Sequence, residues 1–232
     1  MDSTDLILKK VASLEPANVL DVGCGCGGFT AQLSLYCGRI TAIDYTSALI
    51  DRCKRENQRP NIDYVCMDGR NIDFPDDSFD LVLERASLHH ILEWEKALDE
   101  MIRVSSRHVL VQEPIDDPRS EEKRNTIRAQ ELILELQREV GYSHFKYIPL
   151  NSLIAHMQKR GVSFETSVTR RDEPVDVDEY FSSFGDFANK SRRKEYWLER
   201  LNRLRKELDT KKLCKEDILF IAATKSQRGA GH

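Results

Sequence analysis

The sequence has no long hydrophobic segment and no internal repeat. No stretch approaches the ~20 consecutive apolar residues of a transmembrane helix, and the opening residues lack the apolar core of a signal peptide. We therefore expect a cytoplasmic protein without membrane contacts. Low-complexity linkers are also lacking, so the 232 residues are predicted to form one domain, 1–232.

The cysteines form no metal-binding pattern. They lie at positions 24, 26, 37, 53, 66 and 214, without a CxxC pair and without clustered histidines. A four-ligand zinc site normally needs closer spacing, so we expect no metal ion. Cys24 and Cys26 are the one close pair, and they lie among glycines, where small residues fit a crowded turn.

Acidic residues slightly outnumber basic residues overall, but positive charge is concentrated in one segment. The formal net charge is −4, yet residues 190–212 contain ten basic and four acidic residues. A basic run of this kind can attract an acidic partner. Apolar residues recur in it at helical spacing, at Trp197, Leu201, Leu204 and Leu208. This pattern indicates the charged face of an amphipathic helix, and since no recognition motif accompanies it, we expect no nucleic-acid partner.

Short apolar runs alternate with amphipathic segments in the first half of the chain. Strands are predicted at Val19–Val22, Ile40–Ile43, Tyr64–Cys66, Leu81–Leu83 and Val109–Gln112. Helices are predicted at Asp2–Leu14, Phe29–Tyr36, Ser47–Glu56 and Glu95–Val104. This alternation indicates an α/β fold, in which helices flank both faces of a mostly parallel sheet.

The pattern changes after Pro114. Helices are predicted at Glu121–Val140 and Asn151–Arg160, followed by a strand at Ser163–Arg170 and a final strand in "DILFIAAT". Segments 116–150 and 172–212 are predicted as helical insertions that form a lid over a substrate site, while 1–115 forms the cofactor-binding half. Aromatic residues of the insertions suit a pocket for a flat or apolar molecule, but they suit equally well a core that anchors the helices.

A glycine-rich turn follows the first predicted strand in "NVLDVGCGCGGFT". Glycines let the backbone approach a ligand closely, and a strand-to-helix turn directs free N–H groups at it. Gly23, Gly25 and Gly28 match the GxGxxG of dinucleotide enzymes, with Asp44 about twenty residues on. Gly23, Gly25 and Gly27 match a GxGxG pattern equally well, so the glycines alone leave the ligand open.

Acidic residues near the ends of successive strands favour the GxGxG interpretation over the dinucleotide motif. Asp21 precedes the first glycine, Asp44 ends "ITAID", and Asp68 follows the third strand in "YVCMDG". With "ERASLHHILEW" and "VLVQEP" further on, residues 15–115 and the final strand resemble class I S-adenosylmethionine-dependent methyltransferases. The resemblance is greatest to the small-molecule group that includes quinone-biosynthesis enzymes. It implies a Rossmann-like, mostly parallel seven-stranded sheet, and S-adenosylmethionine as cofactor.

The resemblance also implies where the methionine and ribose parts of the cofactor lie. Gly23, Gly25 and Gly27 would let the loop backbone meet the methionine part, with Asp21 supporting that end. Asp44 would accept hydrogen bonds from both ribose hydroxyls, a role that suits an ionised carboxylate.

Four further residues would complete the cofactor site by the same resemblance. Tyr45 would pack on the adenine, Asp68 would accept from its amino group, and the Gly69 N–H would address a ring nitrogen. Arg85 falls where relatives contact the cofactor near its sulfonium, although an arginine departs from the small or amide residue usual at this position.

Methyl transfer to a hydroxyl, acidic carbon or ammonium requires a base. His89 and His90 follow the fourth strand at the carboxyl edge of the sheet, where ligands of such folds bind, and imidazole titrates near neutral pH. Glu113, in "QEP" at the end of the fifth strand, is the other candidate. One of the histidines could instead cap or pack the helix that follows.

The sequence thus predicts an S-adenosylmethionine-dependent methyltransferase that acts in line on a small acceptor, anionic or aromatic in character. A protein or RNA acceptor and a non-catalytic cofactor-binding partner are the alternatives. An NAD-dependent oxidoreductase is disfavoured by Asp21 and by the motif around Asp68. The oligomeric state and the acceptor atom are left open.

Overall fold

The computed structural model describes residues 3–142, 144–182, 184–208 and 212–225. The chain divides into two compact units. The first unit comprises residues 1–113, 150–168 and 219–232, and the second comprises 114–149 and 169–218. The second unit lies close in sequence to the predicted insertions 116–150 and 172–212; that these insertions form a lid stays a prediction.

The strands and helices of both units, in chain order, have the following bounds. The strands are Asn18–Val22 (β1), Arg39–Asp44 (β2), Ile62–Cys66 (β3), Phe79–Arg85 (β4), Ser105–Ile115 (β5), Ser163–Thr169 (β6), Pro174–Val175 (β7), Leu213–Cys214 (β8) and Asp217–Thr224 (β9). The helices are Ser3–Leu14 (α1), Gly28–Leu33 (α2), Ser47–Glu56 (α3), Trp94–Val104 (α4), Glu121–Glu139 (α5), Leu150–Lys159 (α6), Val177–Ser182 (α7), Gly185–Lys190 (α8) and Lys194–Leu208 (α9). A short 3-10 turn spans Leu88–His90.

The described residues form a seven-stranded sheet in the order β3-β2-β1-β4-β5-β9-β6. β1 pairs in parallel with both β2 and β4, and the β2–β3 and β4–β5 pairings are parallel as well. The strand order reverses between β1 and β4, where Val22 lies opposite Glu84. In open α/β sheets the crevice at such a switch point, outside the carboxyl ends of the strands, is where ligands bind.

The central strands are apolar because both of their faces are covered. Four of the five residues of β1 are buried, and most residues of β4 are buried too. Such continuous apolar runs are typical of parallel strands packed between helices. The helices of this unit each bury one face against the sheet. In α3 the buried residues are Ile50 and Cys53.

The second unit has a core of its own. Its buried residues include Leu132 and Leu136 of α5, Phe181 of α7, and Trp197 and Leu201 of α9. β7 and β8 pair antiparallel as a separate two-stranded sheet. Part of the aromatic content of the insertions therefore serves as core.

The predicted α/β fold with a mostly parallel seven-stranded sheet is confirmed. The observed helix Gly28–Leu33 is shorter than the predicted Phe29–Tyr36. The observed fifth strand, Ser105–Ile115, is longer than the predicted Val109–Gln112. Residues 172–212 are mostly helical as predicted, although β7 interrupts them and 209–211 lie outside the described residues. Residue 2, in the predicted first helix, also lies outside.

Across the described ranges, no helix has the length and apolar character needed to cross a membrane. The six cysteines all carry free thiols. Cys24 and Cys53 meet beside the glycine turn, where burial raises the pKa of both thiols. They act there as small packing residues.

Candidate functional site

The turn after β1 owes its shape to glycine. Gly23, Gly25 and Gly27 have φ values of 75°, 55° and 77°, a left-handed region that residues with a Cβ rarely adopt. The amides of Gly23 and Cys24 both donate to the carbonyl of Ile43 at the end of β2, at 2.8 and 3.0 Å. The turn is thus pinned across the carboxyl ends of β1 and β2.

The two glycine patterns of the sequence are distinguished by packing. A Cβ on Gly27 would lie 2.9 Å from both the Cys53 sulfur and the Tyr64 hydroxyl, so glycine is required there. Gly28 has no positive φ, and a Cβ on it would meet no heavy atom of the described residues within 4 Å. The third glycine of a dinucleotide motif is needed for close helix–strand packing, and Gly28 provides none. The structural requirement therefore follows GxGxG.

Gly23 and Gly25 differ in what surrounds them. A Cβ on Gly23 would collide with the side chain of Ser87, which follows β4. A Cβ on Gly25 would find open space within the described part of the chain. Gly25 thus leaves an uncovered stretch of backbone facing outward from the turn, a surface that a ligand can approach closely.

Asp44, at the end of β2, is tied to this turn. Its Oδ2 accepts from the amide of Gly25 at 3.0 Å, and its Oδ1 accepts from the amide of Thr46 at 2.8 Å. A carboxylate has about four acceptor positions, so each oxygen retains capacity for a ligand hydroxyl. The neighbouring Tyr45 ring is 76% exposed, which makes it available as a stacking surface.

Asp68 and Gly69 follow β3, and Asp68 is held by Arg70. The Arg70 guanidinium contacts both carboxylate oxygens, at 3.1 and 2.7 Å, and the Arg70 amide donates to Oδ1. These hydrogen bonds hold the pKa of Asp68 below its ordinary value. Arg70 also reaches Glu93, at 3.1 Å. Asp68 is thus an ionised, oriented acceptor, and its carbonyl also accepts from the Asn71 amide at 3.0 Å in the turn after β3.

Asp21 lies beneath the turn, 2% exposed. Its Oδ2 accepts from the hydroxyl of Thr30 in α2 at 2.6 Å. Burial raises the pKa of Asp21 to about 6, against the lowering effect of the Thr30 hydrogen bond. The residue therefore joins the end of β1 to α2 and supports the turn from inside.

Arg85 ends β4 and is directed toward the amino-terminal helix. Its Nη2 donates to the Thr4 hydroxyl at 2.9 Å, and its guanidinium lies 5.1 Å from the centre of the Phe29 ring. Its Nε is buried without a hydrogen-bond partner among the described residues. A buried donor of this kind is costly unless a ligand or water satisfies it.

Glu84, Glu113 and His89 form a buried group at the ends of β4 and β5. His89 Nδ1 lies 2.7 Å from Glu113 Oε2, and Glu113 Oε1 accepts from the amide of Leu88 at 3.0 Å. Glu84 accepts from the amides of Ser87 and Gln112 at 2.9 and 3.0 Å. Both glutamates are fully buried.

Burial raises the pKa of both glutamates. Burial raises the pKa of Glu113 to about 7, while hydrogen bonds oppose the rise, and burial together with the neighbouring charge of Glu113 raises the pKa of Glu84 well above its ordinary value. Two adjacent buried carboxylates cannot both be charged at little cost. The two carboxyl groups therefore titrate as a coupled pair that favours holding one proton. The His90 ring packs against His89, with the ring centres 4.3 Å apart.

Three residues of the site escaped the sequence analysis: Ser87, Glu84 and Arg70. The Ser87 hydroxyl lies 2.9 Å from both the carbonyl of Val22 and a carboxylate oxygen of Glu84, so it fastens β4 to the glycine turn. Glu84 carried the one sequence signal, a charged residue inside an apolar strand. A serine and an arginine in turns carry no comparable signal.

The residues present fit S-adenosylmethionine. The open backbone at Gly25 suits close approach of a ligand, and the spare acceptor capacity of Asp44 suits a ribose diol. The exposed Tyr45 ring suits adenine, and the buried Arg85 Nε suits a carboxylate. These four features lie on elements of the first unit that meet at the carboxyl edge of the sheet.

Comparison with known proteins agrees with this geometry. A family model described as a methyltransferase domain matches residues 20–109. A phthiotriol/phenolphthiotriol dimycocerosates methyltransferase of Mycobacterium tuberculosis is 36% identical over 88 residues, 37% of this chain and 33% of that protein. Nodulation protein S of Rhizobium tropici is 32% identical over 103 residues, 43% of each chain. The matches thus span less than half the length of these curated relatives.

Solved structures extend the likeness to the whole fold. The YcgJ protein of Bacillus subtilis superposes with a TM-score of 0.73 at 20% identity, covering 97% of this chain and 98% of that one. At this identity the superposition establishes the fold alone. Residues 20–109 are thus similar to the methyltransferase domain family, and the chain shares the fold of this solved structure over nearly its whole length.

Proposed function

We propose that this protein transfers a methyl group from S-adenosylmethionine to a small-molecule acceptor. The observation that carries the proposal is the glycine turn after β1. Its three left-handed glycines follow the GxGxG pattern, and Asp44 is joined directly to the middle one. The same turn does not meet the packing requirement of a dinucleotide motif at Gly28, which argues against an NAD-dependent oxidoreductase.

The cofactor-binding roles are assigned as follows. Asp44 binds the ribose hydroxyls, Tyr45 stacks on the adenine, and Asp68 with the Gly69 amide binds the adenine edge. The backbone of Gly23, Gly25 and Gly27 meets the methionine part, supported from below by Asp21. Arg85 is better suited to the methionine carboxylate than to the sulfonium, because two cations repel each other.

The bound cofactor supplies an electrophilic methyl group on a sulfonium, so the chain itself has to align the acceptor, exclude water and remove a proton. We assign proton removal to His89 rather than His90. An ionised Glu113 accepts from Nδ1–H of His89, which leaves Nε2 as the basic nitrogen. Glu113 is then a positioning residue that fixes the tautomer.

A small acceptor fits better than a nucleic acid. Several basic residues of α9 are already paired within the second unit, Arg200 with Glu135 and Arg205 with Asp178, at 2.7 Å in both cases. Arg193 is paired with Glu139 at 3.0 Å. This pairing reduces the positive field that would attract a polyanion, and with it the support for an anionic acceptor. An aromatic acceptor keeps the support of the rings in the insertions.

The test is a methyl-transfer assay with S-adenosylmethionine labelled in its methyl group and a fractionated metabolite extract. We expect label in the low-mass fraction, lost in His89→Ala. Label recovered in protein or RNA would overturn the small-molecule acceptor. Cofactor binding without transfer to any fraction would favour a non-catalytic binding partner.

A further inference from the structure

The second unit contains a cavity of about 130 Å3 that the proposed function does not use. Its walls include the rings of Tyr147, Tyr180 and Phe184 together with aliphatic side chains of α5. The Tyr180 and Phe184 ring centres are 5.4 Å apart. An engineered apolar cavity of ~150 Å3 accepts benzene, so this one can hold the apolar part of a small molecule.

The polar part of the same cavity is acidic. Among the described lining residues, Asp116, Glu131 and Glu216 contribute carboxylates, Lys146 contributes an amine and His144 an imidazole. Lys146 is paired with Glu131, its Nζ 2.5 Å from Oε1. Glu216 accepts a hydrogen bond from the amide of Gln130, which neutralises no charge. Lys146 thus compensates the charge of Glu131. The other two carboxylates, Asp116 and Glu216, give the cavity a net negative charge.

The acidic lining adds to the effect of burial on the pKa of two groups of the cavity. Desolvation raises the pKa of Asp116 to about 6; Glu216 and Glu131 raise it too, while Lys146 opposes them. The pKa of Tyr180 is raised by burial and by the charges of Glu216 and Asp116. A cation in the cavity would relieve this repulsion.

We propose that this cavity binds an organic ammonium ion, with its apolar body among the rings and its charge facing Asp116 and Glu216. Aromatic faces attract cations in addition to the carboxylates. A hard metal ion would use the carboxylate oxygens but would leave the aliphatic and aromatic walls without an apolar partner. An anion would be repelled, and a neutral ligand would leave the two carboxylates uncompensated.

The inference goes beyond the proposed function and does not depend on it. An ammonium ion bound here is either a methyl acceptor or a ligand of another kind, and the chemistry of the cavity is the same for both. Calorimetric titration of the full chain with butylammonium and phenethylammonium chloride tests the inference, with 2-phenylethanol as the neutral match of phenethylammonium and phenylacetate as the anion.

We expect a cation to bind about tenfold tighter than the neutral match, and the anion weakest. Asp116→Asn and Glu216→Gln, which keep side-chain size, are expected to weaken cation binding by about fivefold or more. Glu199→Gln removes an exposed charge of α9, outside the cavity lining, and is expected to change binding less than about twofold. Melting of each variant checks that it folds.

The dependence on salt is a second test that needs no variant. Added sodium chloride should weaken binding of the cation and leave binding of the alcohol unaffected. Equal affinity for cation and alcohol, or no binding of either ammonium, would overturn the inference. Mass spectrometry after addition of S-adenosylmethionine separates the two sources: a methylated amine identifies an acceptor, and bound but unmodified amine identifies another ligand. If the protein binds S-adenosylmethionine but neither ammonium ion, this inference fails and the proposed function is unaffected.

Discussion

The imidazole Nδ1 of His89 lies 2.7 Å from a carboxylate oxygen of Glu113, and both side chains are buried at the carboxyl edge of the sheet. A buried carboxylate in this position selects one tautomer of the imidazole and stabilises its protonated form. The contact gives His89, and not the adjacent His90, the setting of a general base. Its consequences can be measured.

Glu113→Gln is expected to lower kcat by a factor of about 10² to 10⁴, with cofactor affinity changed less than about twofold. The glutamine amide would donate to Nδ1 and force the proton onto Nε2, so the base would be lost without loss of packing. In the wild type kcat should rise as pH increases through about 7, where Glu113 ionises, and the variant should lose this dependence. Steady-state kinetics over pH 5.5–8.5 measures both. An unchanged pH profile in the variant would remove Glu113 from the mechanism, and Glu95→Gln, on the exposed first turn of α4, is the control.

Gly25→Ala is expected to weaken S-adenosylmethionine binding by about tenfold or more while destabilising the fold by only about 1 kcal/mol. The added methyl group meets no heavy atom of the described residues within 4 Å, but in the proposed binding mode it occupies the space through which the cofactor approaches the turn. Gly28→Ala, also unhindered and without a positive φ, is the matched control and should bind normally. If the two variants bound equally well, the turn would not be the cofactor site.

Asp21→Asn is expected to become more stable relative to the wild type as pH rises from about 3.5 to 6.5. The pKa of Asp21 rises from its ordinary 3.8 to about 6 on folding, so the native state holds the proton longer than the unfolded state. Stability from this group is therefore present at low pH and lost as pH rises through about 6. For so buried a carboxyl the change approaches about 3 kcal/mol. Urea unfolding followed by Trp94 fluorescence measures it, and a flat difference between the two proteins would contradict the assignment.

Asp217→Asn is expected to destabilise the second unit by about 3 kcal/mol or more. The buried Asp217 carboxylate accepts from the buried Lys123, Nζ to Oδ1 2.6 Å, and from Arg119. Although burial opposes them, these bonds hold the pKa of Asp217 well below its ordinary value. Its contribution is thus present above pH ~4 and lost as pH falls further.

The matched control for that variant is Asp172→Asn, because Asp172 also pairs with Arg119 but its side chain is 69% exposed. A loss below about 1 kcal/mol is expected there. Trp197 lies in the core of the second unit, so its fluorescence in a Trp94→Phe background reports unfolding of that unit. Equal losses from the two substitutions would show that burial of the ion cluster contributes nothing.

The fold could be predicted from the sequence because short, largely apolar runs alternate regularly with clearly amphipathic segments. β7 and β8 could not, since two residues carry no periodicity. β5 begins earlier than predicted because Ser105 and Ser106 interrupt the apolar pattern, yet Ser105 pairs with Phe79 of β4 and both hydroxyls donate to main-chain carbonyls.

The candidate site was predictable in part, because some of its residues are marked by local spacing in the sequence. Asp21, Asp44 and Asp68 each stand next to a strand end, where local spacing is enough to find them. The choice of Gly27 over Gly28 depends on Cys53 and Tyr64, which are distant in sequence. The choice of His89 over His90 likewise depends on where Glu113 lies after folding. Contacts between distant segments decided both, and no local pattern encodes them.

Isothermal titration of the purified protein with S-adenosylmethionine, S-adenosylhomocysteine and NADH, beside Asp44→Ala, shows whether the glycine turn binds a methyl donor. We expect micromolar binding of the first two ligands, weakened by at least about tenfold in Asp44→Ala because charge-assisted hydrogen bonds to the ribose are lost. We expect no binding of NADH. Binding of NADH alone, or S-adenosylmethionine binding that Asp44→Ala leaves unchanged, would rule out the proposed cofactor site.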